Sequence, residues 1–173
     1  MLFLYEPSKD RIDRFLSSQS GHSFSYREVG ASRNGSPSGY NVDHNRVRLG
    51  EGEETYSRAI SAVRRWTMFH IGWVRLFRTD TPIEAGSNVC VLARHFPFWS
   101  LNACRIVYVI GEDGPVKRFG FAYGTLSDHI ESGEERFTVE WNLEDNSVWY
   151  DLFAFSRPNH ILAFAGYPLA RAL

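Results

Sequence analysis

The sequence predicts an α+β fold: a curved antiparallel sheet of about seven strands wrapped around a C-terminal helix. Three observations lead there. From Met68 onward the apolar pattern has a period of two residues and keeps it to Phe155. The six strand-like runs in that stretch are joined by connections too short for crossovers, so they must pair as antiparallel neighbours. Helical patterns collect toward the two ends of the chain, the arrangement of α+β rather than alternating α/β domains. A chain of 173 residues is read as one domain spanning 1–173, large enough to bury roughly 70% of its unfolded surface.

The elements follow in order. Pro7 and Ser8 mark a helix start, Ile12, Phe15 and Leu16 recur at helical spacing, and Gly21 should end the helix. "FSYREVG" (24–30) alternates as a strand would, "ASRNGSPSGYN" is a surface loop by its turn-forming residues, and "DHNRVRLG" suggests a second short strand. The clearest helix comes next. Glu53 and Glu54 suit its positive N-terminal end, and Tyr56, Ala59, Ile60, Val63 and Trp66 form one apolar stripe. Strands are then expected at "HIGWVRLF" (70–77), "NVCVLARHF" (88–96), "NACRIVYVI" (102–110), "VKRFGFAYGT" (116–125), "RFTVEW" (136–141) and "VWYDLFAF" (148–155). The turn between 88–96 and 102–110 falls near Phe98. It puts Cys90 and Cys104 on opposite faces, opposite Val107 and Ala93 respectively, as buried free thiols rather than a disulfide. "HILAFAG" and "LARAL" suggest a final helix interrupted at Gly166 and Pro168.

Composition excludes several functions. Net charge is -1, so there is no surplus of cations to displace counterions from nucleic acid. No apolar run reaches the ~18 residues that span a bilayer. "MLFLYEPSKD" lacks the basic start of a signal peptide, and the expected location is cytoplasmic. His22, His44, His70, His95, His129 and His160 show no metal-ligand spacing, and no phosphate loop, dinucleotide fingerprint or nucleophile elbow occurs. No cofactor is expected. Aromatic residues make up 15% of the chain, and Trp73, Phe96, Phe98, Trp99, Phe119, Tyr123, Trp141, Trp149, Phe153 and Phe155 build either a filled core or the wall of a cavity.

"FAYGTL", "GEERF" and "FSRP", with "FSYREVG" and "LGEGEETYSRA" before them, occur in an order and spacing that resembles the "domain of unknown function nineteen-ninety" family of bacteria and plants. The element order also resembles the START or Bet v 1-like helix-grip superfamily. That second resemblance implies a space between the sheet and a C-terminal helix. Members of the first family continue past the position of Leu173 in a longer basic helix, so a shorter helix here would leave one end of such a space more open. The family carries no activity over to this chain.

Within that frame the polar residues set among apolar strands are the candidates. Arg94, Trp99, Asn102, Arg105 and Tyr123 are expected to orient a small apolar or amphipathic ligand, with Arg105–Glu135 and Arg94–Asp151 as expected ion pairs. The loop "SDHIESGEERF" offers His129 and Glu135, with Tyr123, for proton transfer. Period two does not say which face is inside, so these side chains either ring a ligand or face solvent. The favoured function is a ligand-binding module. The alternatives are an enzyme working in the same cavity and an interaction module with a filled core and an apolar patch near Trp99 and the C-terminal helix.

Overall fold

The structure is a computed structural model that describes residues 1–95 and 97–159. The expected final helix and Phe96 lie outside the described residues. The elements are β1 (Leu2–Phe3), α1 (Lys9–Ser18), β2 (Asn41–Glu51), α2 (Gly52–Arg64), β3 (Val74–Phe77), β4 (Asn88–His95), β5 (Phe98–Glu112), β6 (Val116–Thr125), β7 (Glu131–Asn142) and β8 (Ser147–Pro158). They build one antiparallel sheet, curled into a half-barrel, in the order β2-β8-β7-β6-β5-β4-β3, with β1 added beside the start of β5. The run from β3 to β8 is a meander of hairpins, as the short connections require. β2 closes the sheet by returning against β8, so Arg46 lies opposite Asp151 and His44 opposite Phe153. Register shifts at Arg48/Gly50 and Ile106/Tyr108 bend the sheet locally.

The step from β2 into α2 explains "LGEGEE". Gly50 and Gly52 both have positive φ, of 145° and 79°, which a side chain would resist. They turn the strand directly into the helix, and the Gly52 amide donates to the Asn146 carbonyl at 2.9 Å. α2 ends at Arg64, before the end of its apolar stripe. Trp66 sits just beyond in the left-handed region at φ 58°, which swings the fully buried indole onto Phe121 at 4.9 Å between ring centres. The indole nitrogen donates to the Thr81 carbonyl at 3.0 Å.

Both faces of the sheet are covered. On the α2 face, Val63, Trp66 and Phe69 pack on Val89, Ile106, Phe121, Phe137 and Val139. On the α1 face, Ile12 and Phe15 pack on Cys90, Leu92, Leu101 and Leu126, while Tyr26 and Tyr40 pack beside Phe155. Each fully buried Phe or Leu of this kind contributes about 1.5–3 kcal/mol.

Three strand expectations change. "FSYREVG" is not a strand: Phe24 makes one bridge to Leu126, and the chain then crosses the sheet as a strap. Both edges of β6 are already taken by β5 and β7, so nothing is left for 24–30 to pair with. "DHNRVRLG" is a full strand of 11 residues, and "HIGWVRLF" becomes strand only at Val74. The cysteines are free, buried and on opposite faces, as expected. Their partners are Ala103 for Cys90 and Val89 for Cys104, a register four residues tighter than expected. An even shift leaves every side chain on its face.

Candidate functional site

The segment Gly133–Phe137 sends consecutive residues to opposite faces, and this alternation splits its chemistry in two. Glu134 points to the α1 face and is 3% exposed. It accepts the Tyr26 hydroxyl at 2.7 Å, the Gly30 amide at 2.7 Å, the Ser32 amide at 3.1 Å and the Ser32 hydroxyl. Glu134 is thus the anchor of the strap. Arg136, on the same face, donates to the Ser32 carbonyl at 2.7 Å and to Asp151 at 3.0 Å. Asp151 is 2% exposed and also meets His44 Nε2 at 2.7 Å and Arg46 at 3.5 Å. Burial raises its carboxyl, but the hydrogen bonds and charges of His44 and Arg136 outweigh that and hold it below the usual carboxylate range. Arg46 and Arg118 continue the network by sharing Glu140.

Glu135 points the other way, into the aromatic α2 face. It accepts the Tyr123 hydroxyl beside Phe137, whose ring lies 5.5 Å from that of Tyr123. Burial pushes its carboxyl up to about 7, the charges of Glu131 and Asp43 add to this, and the Tyr123 bond opposes it. Burial and the Glu135 charge raise the Tyr123 and Tyr150 hydroxyls. The Tyr150 hydroxyl oxygen is buried with no hydrogen-bond partner among the described residues. A carboxylate able to change charge near neutrality, a phenol bound to it and a second phenol without a partner therefore share one apolar wall.

The expected site residues do not all share that wall. Tyr123 and Asn102 are on the α2 face. Asn102 is 4% exposed and donates to Ser100 at 2.8 Å and to the Val91 carbonyl at 3.4 Å. Its carbonyl oxygen has no partner among the described residues. Arg105 is on the α1 face, which corrects the expected pair with Glu135. Its guanidinium bonds Asn88 at 2.7 Å and the carbonyls of Gln19, Ser20 and His22 at 3.1, 3.0 and 2.9 Å, fastening the turn after α1. Arg94 is exposed and lies 5.8 Å from the Trp99 ring. Its expected pair with Asp151 is also corrected, because β5, β6 and β7 separate the two strands. Trp99 lies inside β5, paired with Phe3 of β1 and Arg94 of β4. His129 belongs to the β6–β7 turn, where its Nδ1 accepts the Glu131 amide at 2.9 Å. Tyr150 is the residue that sequence reasoning missed. Alternation in "VWYDLFAF" already grouped it with Val148, Leu152 and Ala154, but only pairing with β7 brings that group beside Phe137 and Glu135.

Two open grooves lie elsewhere. One of about 420 Å³ is lined by Arg46, Arg118, Glu140 and Trp149 on the α1 face, and one of about 330 Å³ by Leu16, Arg78, Ser87 and Asn88. Among the described residues no group of three or more His, Cys, Asp or Glu side chains suits a metal, and no helix is long and apolar enough to cross a membrane.

Relatives carry the same uncharacterised label. A "UPF0548 protein" from Dictyostelium discoideum is 32% identical over 99% of this chain and 88% of its own length. One from Deinococcus radiodurans is 36% identical over 91% of this chain and 83% of its own. One from Arabidopsis thaliana is 35% identical over 77% of this chain and 65% of its own. A hypothetical protein from Helicobacter pylori, with a crystal structure at 1.88 Å, is similar at a TM-score of 0.47 with 10% identity, over 79% of each chain. Residues 25–173 match the family described as "Domain of unknown function (DUF1990)", and the chain belongs to that family.

Proposed function

We propose that this chain is a binding module that holds a small hydrophobic or amphipathic molecule against the α2 face of its sheet. The observation that carries this reading is the polar set Tyr123–Glu135–Tyr150 in an otherwise aromatic wall, with one hydroxyl left unpartnered. A buried polar group without a partner costs free energy, and a ligand group that bonded it would recover that cost. Few polar groups in an apolar wall is the usual make-up of a small-molecule site. The order of strand, helix and long antiparallel meander supports the helix-grip resemblance, in which the ligand space adjoins the sheet. An enzyme acting on the same ligand would use Glu135 as its acid–base group.

The test is native mass spectrometry of freshly purified protein, set against its denatured mass. An extra mass lost on denaturation supports the reading. No extra mass, together with no thermal shift from a panel of apolar amphiphiles, overturns it. That result would favour the interaction module, which has its own observation: Leu2, Trp73 and Phe98 are 50%, 55% and 44% exposed around the end of the sheet that carries Trp99.

A further inference from the structure

We propose that the open groove on the α1 face is a second site, which takes a neutral saccharide between the Trp149 ring and the polar edges of Arg46, Arg118, Glu140, Asn142 and Asp145. It lies on the opposite face from the binding reading above and does not depend on it. Its volume of about 420 Å³ falls within the roughly 300–1,000 Å³ usual for small-molecule sites. Strand pairing builds it. Arg118 of β6 lies opposite Glu140 of β7, and Glu140 lies opposite Trp149 of β8. Two residues along, and so on the same face, Val116 lies opposite Asn142. The turn from β7 to β8 adds Asp145.

The first argument is that contacts within the protein already hold these side chains. Glu140 takes Arg46 Nη2 on one oxygen at 2.6 Å and Arg118 Nε on the other at 2.8 Å. The Arg46 guanidinium lies 5.1 Å from the centre of the Trp149 ring. The Trp149 indole nitrogen donates to Ser147 Oγ at 2.9 Å, and that hydroxyl donates to Asp145 Oδ1 at 2.6 Å. One chain of contacts thus runs from Arg118 to Asp145, so a ligand orders little on binding. The Glu140 side chain is 14% exposed and those of Arg46 and Arg118 are 43% and 38% exposed, so the carboxylate is spent on clamping while the guanidinium edges stay accessible.

The second argument is the inventory of what remains. Arg118 uses Nε on Glu140 and Nη1 on Glu112, which leaves Nη2 to donate. Asn142 accepts the Glu144 amide on Oδ1, which leaves Nδ2 to donate. Asp145 receives the Ser147 amide and hydroxyl on Oδ1, which leaves Oδ2 to accept. Donors and acceptors therefore alternate along the groove, and a hydroxyl is both. The third argument is charge. Two guanidinium groups face two carboxylates. An anion would meet Glu140 and Asp145, a cation would meet Arg46 and Arg118, and an apolar molecule would strip water from all of them without replacing its bonds. A sugar brings hydroxyl edges for the polar groups and an apolar C–H face for the indole, a ring with one apolar and one polar side of its own.

The experiment follows the Trp149 indole N–H resonance by NMR, identified by its loss in Trp149→Phe. Because that N–H bonds Ser147 inside the groove, it reports on this site. The neutral probes are maltotriose, cellotriose, mannotriose, xylotriose, galactobiose and chitotriose. Glucose 6-phosphate, glucosamine and serine are the anionic, cationic and zwitterionic ones. At least one neutral probe should shift the resonance saturably, with a Kd below about 10 mM that holds from about 0.01 M to 1 M salt. Arg118→Met and Asn142→Ala should each weaken it at least tenfold while the other resonances show an intact fold. Arg64→Met, on the α2 face beside Phe119, should change nothing. Tighter binding of the phosphate, the amine or serine would overturn the neutral saccharide in favour of that class. No saturable shift by any neutral probe, unchanged affinity in both Arg118→Met and Asn142→Ala, or an equal loss in Arg64→Met would overturn the site.

Discussion

The same conservative substitution at two adjacent residues should act with opposite signs. In Glu134→Gln the amide nitrogen must replace one carboxylate oxygen. Each oxygen accepts two donors: Tyr26 and Gly30 on one, and the Ser32 amide and hydroxyl on the other. Whichever oxygen is replaced, two charge-assisted bonds are lost: one backbone amide is left facing an N–H group, and one hydroxyl must turn round to accept. Hydrogen bonds to a charged partner are worth about 1.5–3 kcal/mol each, so the change should cost about 3–6 kcal/mol, a large part of a total stability of about 5–15 kcal/mol. Glu135→Gln keeps an acceptor for Tyr123 and removes a carboxyl that burial holds protonated up to about pH 7, against 4.5 in the unfolded chain. Between those values the folded protein keeps a proton that the unfolded chain has released. Wild-type stability therefore falls as pH rises through the window, by at most about 1.4 kcal/mol per pH unit, or about 3.5 kcal/mol in all. Glutamine has no such loss. Urea unfolding at pH 4.5 and pH 8 reads both effects as midpoint shifts at constant m. Glu134→Gln should be destabilised at both pH values, and Glu135→Gln should match the wild type at pH 4.5 and exceed it at pH 8. A Glu134→Gln protein within 1 kcal/mol of the wild type, taking a kcal/mol as the size of a single neutral hydrogen bond, or a Glu135→Gln protein weaker than the wild type at pH 8, would refute the assignment of the two side chains.

Further outcomes follow from single contacts. Arg105→Met removes the four bonds that tie the turn after α1; because these are only partly buried, each is set at about 0.5–1 kcal/mol, for about 2–4 kcal/mol in all, and proteolysis at Gln19–His22 should come earlier. Gly124→Ala places a methyl 2.0 Å from the Tyr26 hydroxyl, so it must push Tyr26 off Glu134; a loss under about 1 kcal/mol would contradict that packing. Tyr150→Phe removes a hydroxyl with no described partner, so the empty protein should be unchanged or more stable by up to about 1 kcal/mol in thermal melts. Burial pushes the Cys90 thiol up to about 12 and the Cys104 thiol well above its ordinary value. A thiol reagent at pH 8 should find neither in the native protein and both after denaturation.

Much of the sheet was legible locally. "VKRFGFAYGT" is β6 from end to end, "RFTVEW" has Phe137, Val139 and Trp141 on one face, and the cysteines separate as alternation requires. The candidate site was legible only in part, because alternation sorts a strand into two sets without naming the inner one. Here both sets are buried, and the polar residues divide between the covers. Arg105 and Glu134 serve the α1 face, where they hold α1 and the strap in place, while Tyr123 and Glu135 meet on the other.

What the sequence by itself determined is therefore the list of elements, their antiparallel sense and the partition of side chains into faces, since these depend on neighbours within a few residues. What only the tertiary structure decided is which carboxylate anchors the strap on the α1 face and which turns into the aromatic α2 face. That choice depends on contacts such as Tyr26 to Glu134 and β2 to β8, between segments about 100 residues apart. Their geometry is set by how the two faces are covered, and no local period encodes it.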